Sequence, residues 1–148
     1  MSDHVENFAL AARVVRTDGP WMSFLETPTF TRHLLKLLSD DEYRELQATL
    51  VEDPESGPVI KKTGGARKLR WALKGKGKSG GVRVIYYPFE STPPGMRTCF
   101  MLLVYPKSEK DSLTDSQKAA LKKAIGELAS AAQAAFERAS AKKTSPNQ

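Results

Sequence analysis

The sequence predicts one α+β domain, ordered as a strand, two helices, three strands and a helix. Three observations lead there. Apolar residues between Thr27 and Asp53 recur at helical spacing. From Lys68 to Tyr105 they fall into strand-like runs separated by glycine- and proline-rich turns. Beyond Thr114 the helical spacing returns. Successive strands with short connections favour an antiparallel meander, and helices segregated on either side of it favour α+β over an alternating layout.

The elements follow in order. Residues 1–20 read as an N-terminal extension, with helical character around Phe8–Val15 and a closing Asp-Gly-Pro turn. Trp21–Leu25 is a short apolar run and the first expected strand. Thr27-Pro28 supplies a helix cap and a proline at the first helical position, and Phe30, Leu34, Leu37 and Leu38 line one face. Ser39 and Glu42 have capping-box spacing, so a second helix starts there, presents Tyr43, Leu46 and Leu50, and stops at Asp53-Pro54. Lys68–Leu73 and Val82–Tyr87 flank the Gly- and Lys-rich loop Lys74–Gly81, and Thr98–Tyr105 follows the Pro-Pro-Gly turn at Pro93–Gly95. Thr114 and Gln117 open the last helix, with Leu121, Ile125, Leu128, Ala132 and Phe136 inward. The folded domain is expected over 21–128, with 129–148 as the helix end and a fraying polar tail.

Composition narrows the class. A chain of 148 residues, 40% hydrophobic and 27% charged, suits one globular domain. Its apolar runs, such as Cys99–Tyr105, fall far short of the roughly 20 residues a membrane span needs. The single cysteine, Cys99, excludes an internal disulfide framework. MSDHVENFAL has no basic head followed by an apolar block, so a reduced, cytoplasmic protein without membrane contact is expected.

Charge is the strongest functional signal. From Lys61 to Arg83 there are nine basic residues and no acidic one, out of 23 Lys+Arg and 17 Asp+Glu in the chain. The rest therefore holds 14 basic against 17 acidic residues, a net of −3. One segment is basic, not the whole molecule, and it implies an anionic partner there. Lys61, Lys62, Arg67, Lys74, Lys76 and Lys78 are the candidate contacts to that partner, and RNA-binding residues if it is a nucleic acid.

Standard catalytic and metal patterns are weak. Gly77-Lys78-Ser79 suggests a phosphate loop, but Ala72 stands where the pattern needs glycine and the loop joins two strands. His4 and His33 lack metal-ligand spacing, so no metal or cofactor is expected. Asp40, Asp41 and Glu42 suit a helix N-terminus. Chemistry is left to Lys, Arg and Tyr. Lys68 and Arg70 share one strand parity, Arg83 lies on the neighbouring strand, and Tyr105 and Lys107 end the next. Such a set fits a solvated sheet face, a binding surface, or a site that binds one phosphate and stabilises its charge during transfer.

Lys62-Thr63-Gly64-Gly65-Ala66-Arg67-Lys68-Leu69-Arg70, followed by Gly75-Lys76-Gly77-Lys78-Ser79-Gly80-Gly81-Val82-Arg83-Val84-Ile85-Tyr86-Tyr87, resembles the RelE/ParE superfamily of toxins from type II toxin–antitoxin systems, specifically its HigB-like branch. Leu103–Thr114 resembles that branch's ending, a strand and a lysine-bearing turn. The resemblance implies a RelE-like fold and a ribosome-dependent endoribonuclease that cuts mRNA in the ribosomal A site by 2′-hydroxyl attack, without metal. It implies catalytic roles for Lys68, Arg70 and Arg83, with Lys107 in place of a later arginine. The C-terminal tyrosine of RelE proper has no counterpart, since Leu113-Thr114 falls there; Tyr105 and a lysine of lowered pKa are the two candidate substitutes for it. Implied partners are the ribosome with its mRNA and a cognate helix-turn-helix antitoxin of the HigA type, with operator DNA met only through the antitoxin. Three alternatives stand beside this: a ParE-like toxin acting on DNA gyrase, a non-catalytic RNA-binding module whose last helix bears Lys118, Lys122 and Lys123, and a purely protein-binding module, for which the acid-free segment would have no obvious use.

Overall fold

The computed structural model describes residues 14–15, 22–73, 81–109 and 112–143. The elements are β1 (Val14–Val15), β2 (Ser23–Glu26), α1 (Pro28–Leu37), α2 (Asp40–Glu52), β3 (Arg67–Trp71), β4 (Val82–Glu90), β5 (Arg97–Pro106) and α3 (Asp115–Lys143). They form an α+β fold around one mixed sheet of order β1-β2-β5-β4-β3. The segment β3-β4-β5 is the antiparallel meander, and β2 joins β5 in parallel.

Local chemistry sets the helix ends. The Thr27 hydroxyl accepts the Phe30 N–H at 3.1 Å and donates to the Leu102 carbonyl at 2.8 Å, so one side chain caps α1 and ties it to β5. Ser39 and Glu42 form the reciprocal capping box of α2, at 3.1 and 2.8 Å. Thr114 and Gln117 do the same for α3, at 3.1 and 2.9 Å.

Three layers result. On one sheet face the α1–α2 hairpin packs Phe30, Leu34, Tyr43 and Leu46 against Phe24, Val84, Tyr86 and Met101. On the other, α3 packs Leu121 and Ile125 against Ile85, Leu103 and Tyr105. The sheet is thus buried on both faces near its centre, which explains why β5 reads as a continuous apolar run.

Some sequence expectations are revised. The first long strand is Ser23–Glu26, not Trp21–Leu25, because Glu26 is drawn inside, where its carboxylate accepts the Thr31 and Tyr43 hydroxyls at 2.6 and 2.7 Å. Trp21 lies outside the described residues. Val14 and Val15 pair antiparallel with Leu25 and Phe24 where the sequence predicts helical character; the remainder of Phe8–Val15 lies outside the described residues. Two β-branched residues suit that edge position. The final helix runs unbroken through 128–129 to Lys143, since its alanine-rich half is a strong helix former. It is anchored at the β4–β5 turn, where the Gln133 side chain bonds both the N–H and the carbonyl of Thr92, at 3.1 and 2.8 Å.

A β-bulge in β5 decides which side chains share a face. Ile85 pairs with Leu103 but Tyr86 pairs with Met101, so Leu102 is an extra residue in β5. By plain alternation Met101 and Tyr105 would share a face. The bulge changes the phase, so Met101 lies under the helical hairpin while Tyr105 lies on the α3 side.

Candidate functional site

Register brings the predicted cations together. Arg70 pairs with Arg83, and Arg83 pairs with Tyr105, so the three occupy one rung across β3, β4 and β5. Lys68 pairs with Ile85 on the next rung but one, and thus shares the face. The strands fix these positions for simple reasons. Leu69 and Trp71 pack toward the helical hairpin, which turns Lys68 and Arg70 to the opposite face. Arg83 lies between buried Val82 and Val84, which hold its backbone.

The electrostatics of this rung are unusual. Directly opposed residues have Cβ atoms roughly 5 Å apart, and like charges so placed are destabilising. Arg83 is only 8% exposed, while Arg70 is exposed and Lys68 half-buried. Ion pairs among the described residues, such as Arg44–Asp41 and Arg67–Glu55, leave Arg83 without a carboxylate. Two guanidiniums at one end of a sheet can grip a phosphate, each offering a two-pronged donor, while the Tyr105 hydroxyl on the same rung is buried.

The other candidates are placed less uniformly. Lys107 sits in the exposed turn after β5, where its backbone N–H bonds the Gly81 carbonyl at 3.0 Å. Arg67, expected at the RNA surface, is instead engaged with the chain: its guanidinium donates to the carbonyls of Gly57 and Glu55 at 2.8 and 3.3 Å. Lys61 and Lys62 are exposed in the turn before β3. Lys74, Lys76 and Lys78 lie outside the described residues.

Sequence reading missed a second polar centre. The Tyr86 hydroxyl accepts the Gly57 N–H at 3.0 Å and donates to the Pro54 carbonyl at 2.8 Å, fastening the α2–β3 connection to the sheet. A side chain on Gly57 would stand 2.8 Å from the Lys68 backbone, so only glycine fits there. No local motif announces contacts that span 29 to 32 residues. Burial raises the pKa of Tyr86 and that of Tyr87, whose ring stacks on Phe100. Burial also pushes the Cys99 thiol far upward, which excludes a thiolate role.

Among the described residues no His/Cys/Asp/Glu group is arranged to hold a metal ion, and no helix is long and apolar enough to cross a membrane. A cavity of about 360 Å³ opens at the far end of the sheet, but Asp53, Glu55 and Glu90 line it beside Arg97, a poor match for a polyanion. No known family model matches the chain.

Proposed function

We propose that this protein is the toxin of a type II toxin–antitoxin system, a RelE-like, HigB-type endoribonuclease that cleaves mRNA in the ribosomal A site and so stops translation and growth. The Arg70–Arg83–Tyr105 rung carries the reading, because it sets two opposed guanidiniums on the strands whose sequence resembles that family. In this reading the RNA 2′-hydroxyl attacks the adjacent phosphorus, the bond to the 5′ oxygen breaks, and a 2′,3′-cyclic phosphate forms. Arg83 and Arg70 bind the non-bridging oxygens and stabilise their added charge in the transition state. A base takes the 2′-hydroxyl proton and an acid protonates the departing 5′ oxygen; Lys68 and Tyr105, on the same sheet face as Arg83, are the groups assigned to these two transfers. The cognate antitoxin would present carboxylates to this surface to neutralise it.

Primer extension on a translated message, with purified protein and ribosomes, tests the proposal. Arg83→Ala is expected to lose about a hundredfold in cleavage, the typical effect of removing one positioned donor from a charged transition state, with Arg83→Lys partly restored. Undiminished cleavage by Arg83→Ala overturns the site. Cleavage of a message carrying a 2′-deoxy sugar at the cut overturns the nucleophile. DNA damage on expression, in place of arrested translation, favours the gyrase-directed alternative.

A further inference from the structure

The structure holds a second basic surface, separate from the arginine rung. The turn Lys61–Gly64 packs on α3: a side chain on Gly64 would stand 3.5 Å from Lys122 Cγ and 3.8 Å from Ile125 Cγ2. This contact seats the turn that carries Lys61 and Lys62 on α3 at Lys122, although Lys62 and Lys122 are 60 residues apart in sequence. Lys118 lies one helical turn before Lys122, and Lys123 follows it. Lys61, Lys62, Lys122 and Lys123 are exposed, and among the described residues none of the five lysines is paired with a carboxylate. Glu127, one turn beyond Lys123, bounds the patch.

The turn is rigid. The buried Thr63 hydroxyl donates to the Ile60 carbonyl at 2.7 Å and accepts the Ala66 N–H at 3.0 Å. Gly64 and Gly65 take positive φ, as glycine does readily. Lys62 also takes φ 69°, a conformation in which an L side chain is strained and where glycine or asparagine is the ordinary choice. An exposed lysine held in a strained position contributes nothing to the core. Its use must lie in the ammonium group it presents.

We infer that the Lys61–Gly64 turn and the Lys118–Lys122–Lys123 face of α3 together form a docking surface for the phosphate backbone of double-helical RNA, distinct from the catalytic rung. It rests on the nuclease reading only in taking RNA as the polyanion. Duplex is favoured over single strand by the residue types. Lysines act as point charges that suit a regular array of phosphates. Extended single-strand sites combine lysines with exposed aromatic platforms, and Tyr87, whose ring stands 3.3 Å from a side chain built on Gly65, is half-buried and stacked on Phe100. A cleaving site and an anchoring site on different elements would let the enzyme hold structured RNA while the rung engages an unpaired strand.

The test uses the full chain without ribosomes, binding a blunt RNA duplex and a single strand of equal length across a salt series. The double variant Lys62→Gly with Lys122→Gln is expected to flatten the duplex salt slope by up to about two units, since each lost phosphate contact removes about 0.9. Its melting temperature should be unchanged or raised, because glycine relieves the strain at position 62. Single-strand binding should be unaffected, and Arg83→Ala should keep the wild-type duplex slope while losing cleavage, so loss of the nuclease reading and loss of this one are separable. An unchanged duplex slope overturns the inference. Equal losses on duplex and single strand overturn the duplex assignment, and a lowered melting temperature overturns the argument from strain.

Discussion

Arg83→Met is the most informative single substitution, because stability and activity should move in opposite directions. Methionine matches the arginine stem in length and adds no polar atom. The change removes one of two like charges at opposed positions on β3 and β4, an arrangement that costs roughly 0.2–1 kcal/mol. It also removes a guanidinium that is 8% exposed and meets no carboxylate among the described residues. Against these gains stands the loss of the hydration and packing that the Arg83 side chain keeps. The expected balance is a stabilisation of about 1 kcal/mol, which for a chain of this size raises the melting temperature by about 4 °C. Cleavage should fall at least about a hundredfold.

Inorganic phosphate sharpens the assay. A ligand that binds only the folded state at ten times its dissociation constant adds about 1.4 kcal/mol. Wild type should therefore melt higher in phosphate than in chloride of equal ionic strength, and Arg83→Met should lose most of that difference. A variant that melts several degrees below wild type would refute the reasoning, since Arg83 would then be a structural residue rather than an anion ligand. A phosphate response that survives the substitution would place the anion elsewhere.

Three further outcomes are expected. Tyr86→Phe leaves the Gly57 N–H and Pro54 carbonyl without their partner and should destabilise by about 1–3 kcal/mol in denaturant unfolding. Gly57→Ala drives a methyl to 2.8 Å from the Lys68 backbone, which cannot give way as a flexible side chain does, and should cost about 1–3 kcal/mol by the same measurement. Burial raises the folded-state pKa of Cys99, Tyr86 and Tyr87, so their contribution is whole below the unfolded values and declines as pH rises past them. Thermal unfolding should thus show falling stability from about pH 9 upward, and Cys99→Ala should reduce the first part of that fall.

Much of the fold was legible because its signals are local. Thr27-Pro28, Ser39 with Glu42, and Thr114 with Gln117 each place a helix start within a few residues, and each is observed as a cap. The shared parity of Lys68 and Arg70 was equally readable. What stayed hidden depends on distant pairing. Alternation along β5 gives Tyr105 the same face as Met101, and only the extra residue Leu102 separates them. Arg67 looked like another surface cation because nothing nearby in sequence marks the carbonyls of Glu55 and Gly57 as its partners. The Gly64–Lys122 contact likewise joins two segments that no periodicity connects.

Local preference is broken in two places, and both lie among basic residues. Arg70 opposes Arg83 across neighbouring strands, and Lys62 holds a left-handed backbone. A sequence shaped by stability alone would place an opposite charge or an apolar residue at position 83, and glycine or asparagine at position 62. Among the described residues Arg83 meets no carboxylate, and Lys62 is exposed. Departures of this kind concentrate where a protein meets a ligand, because the ligand supplies the missing partner. Here that partner must be anionic in both cases. Arg83, only 8% exposed, admits one group at a time and suits a single phosphate. Lys62, on an open turn beside Lys122, meets an extended backbone, and this difference in enclosure is the physical basis for assigning chemistry to the first and anchoring to the second.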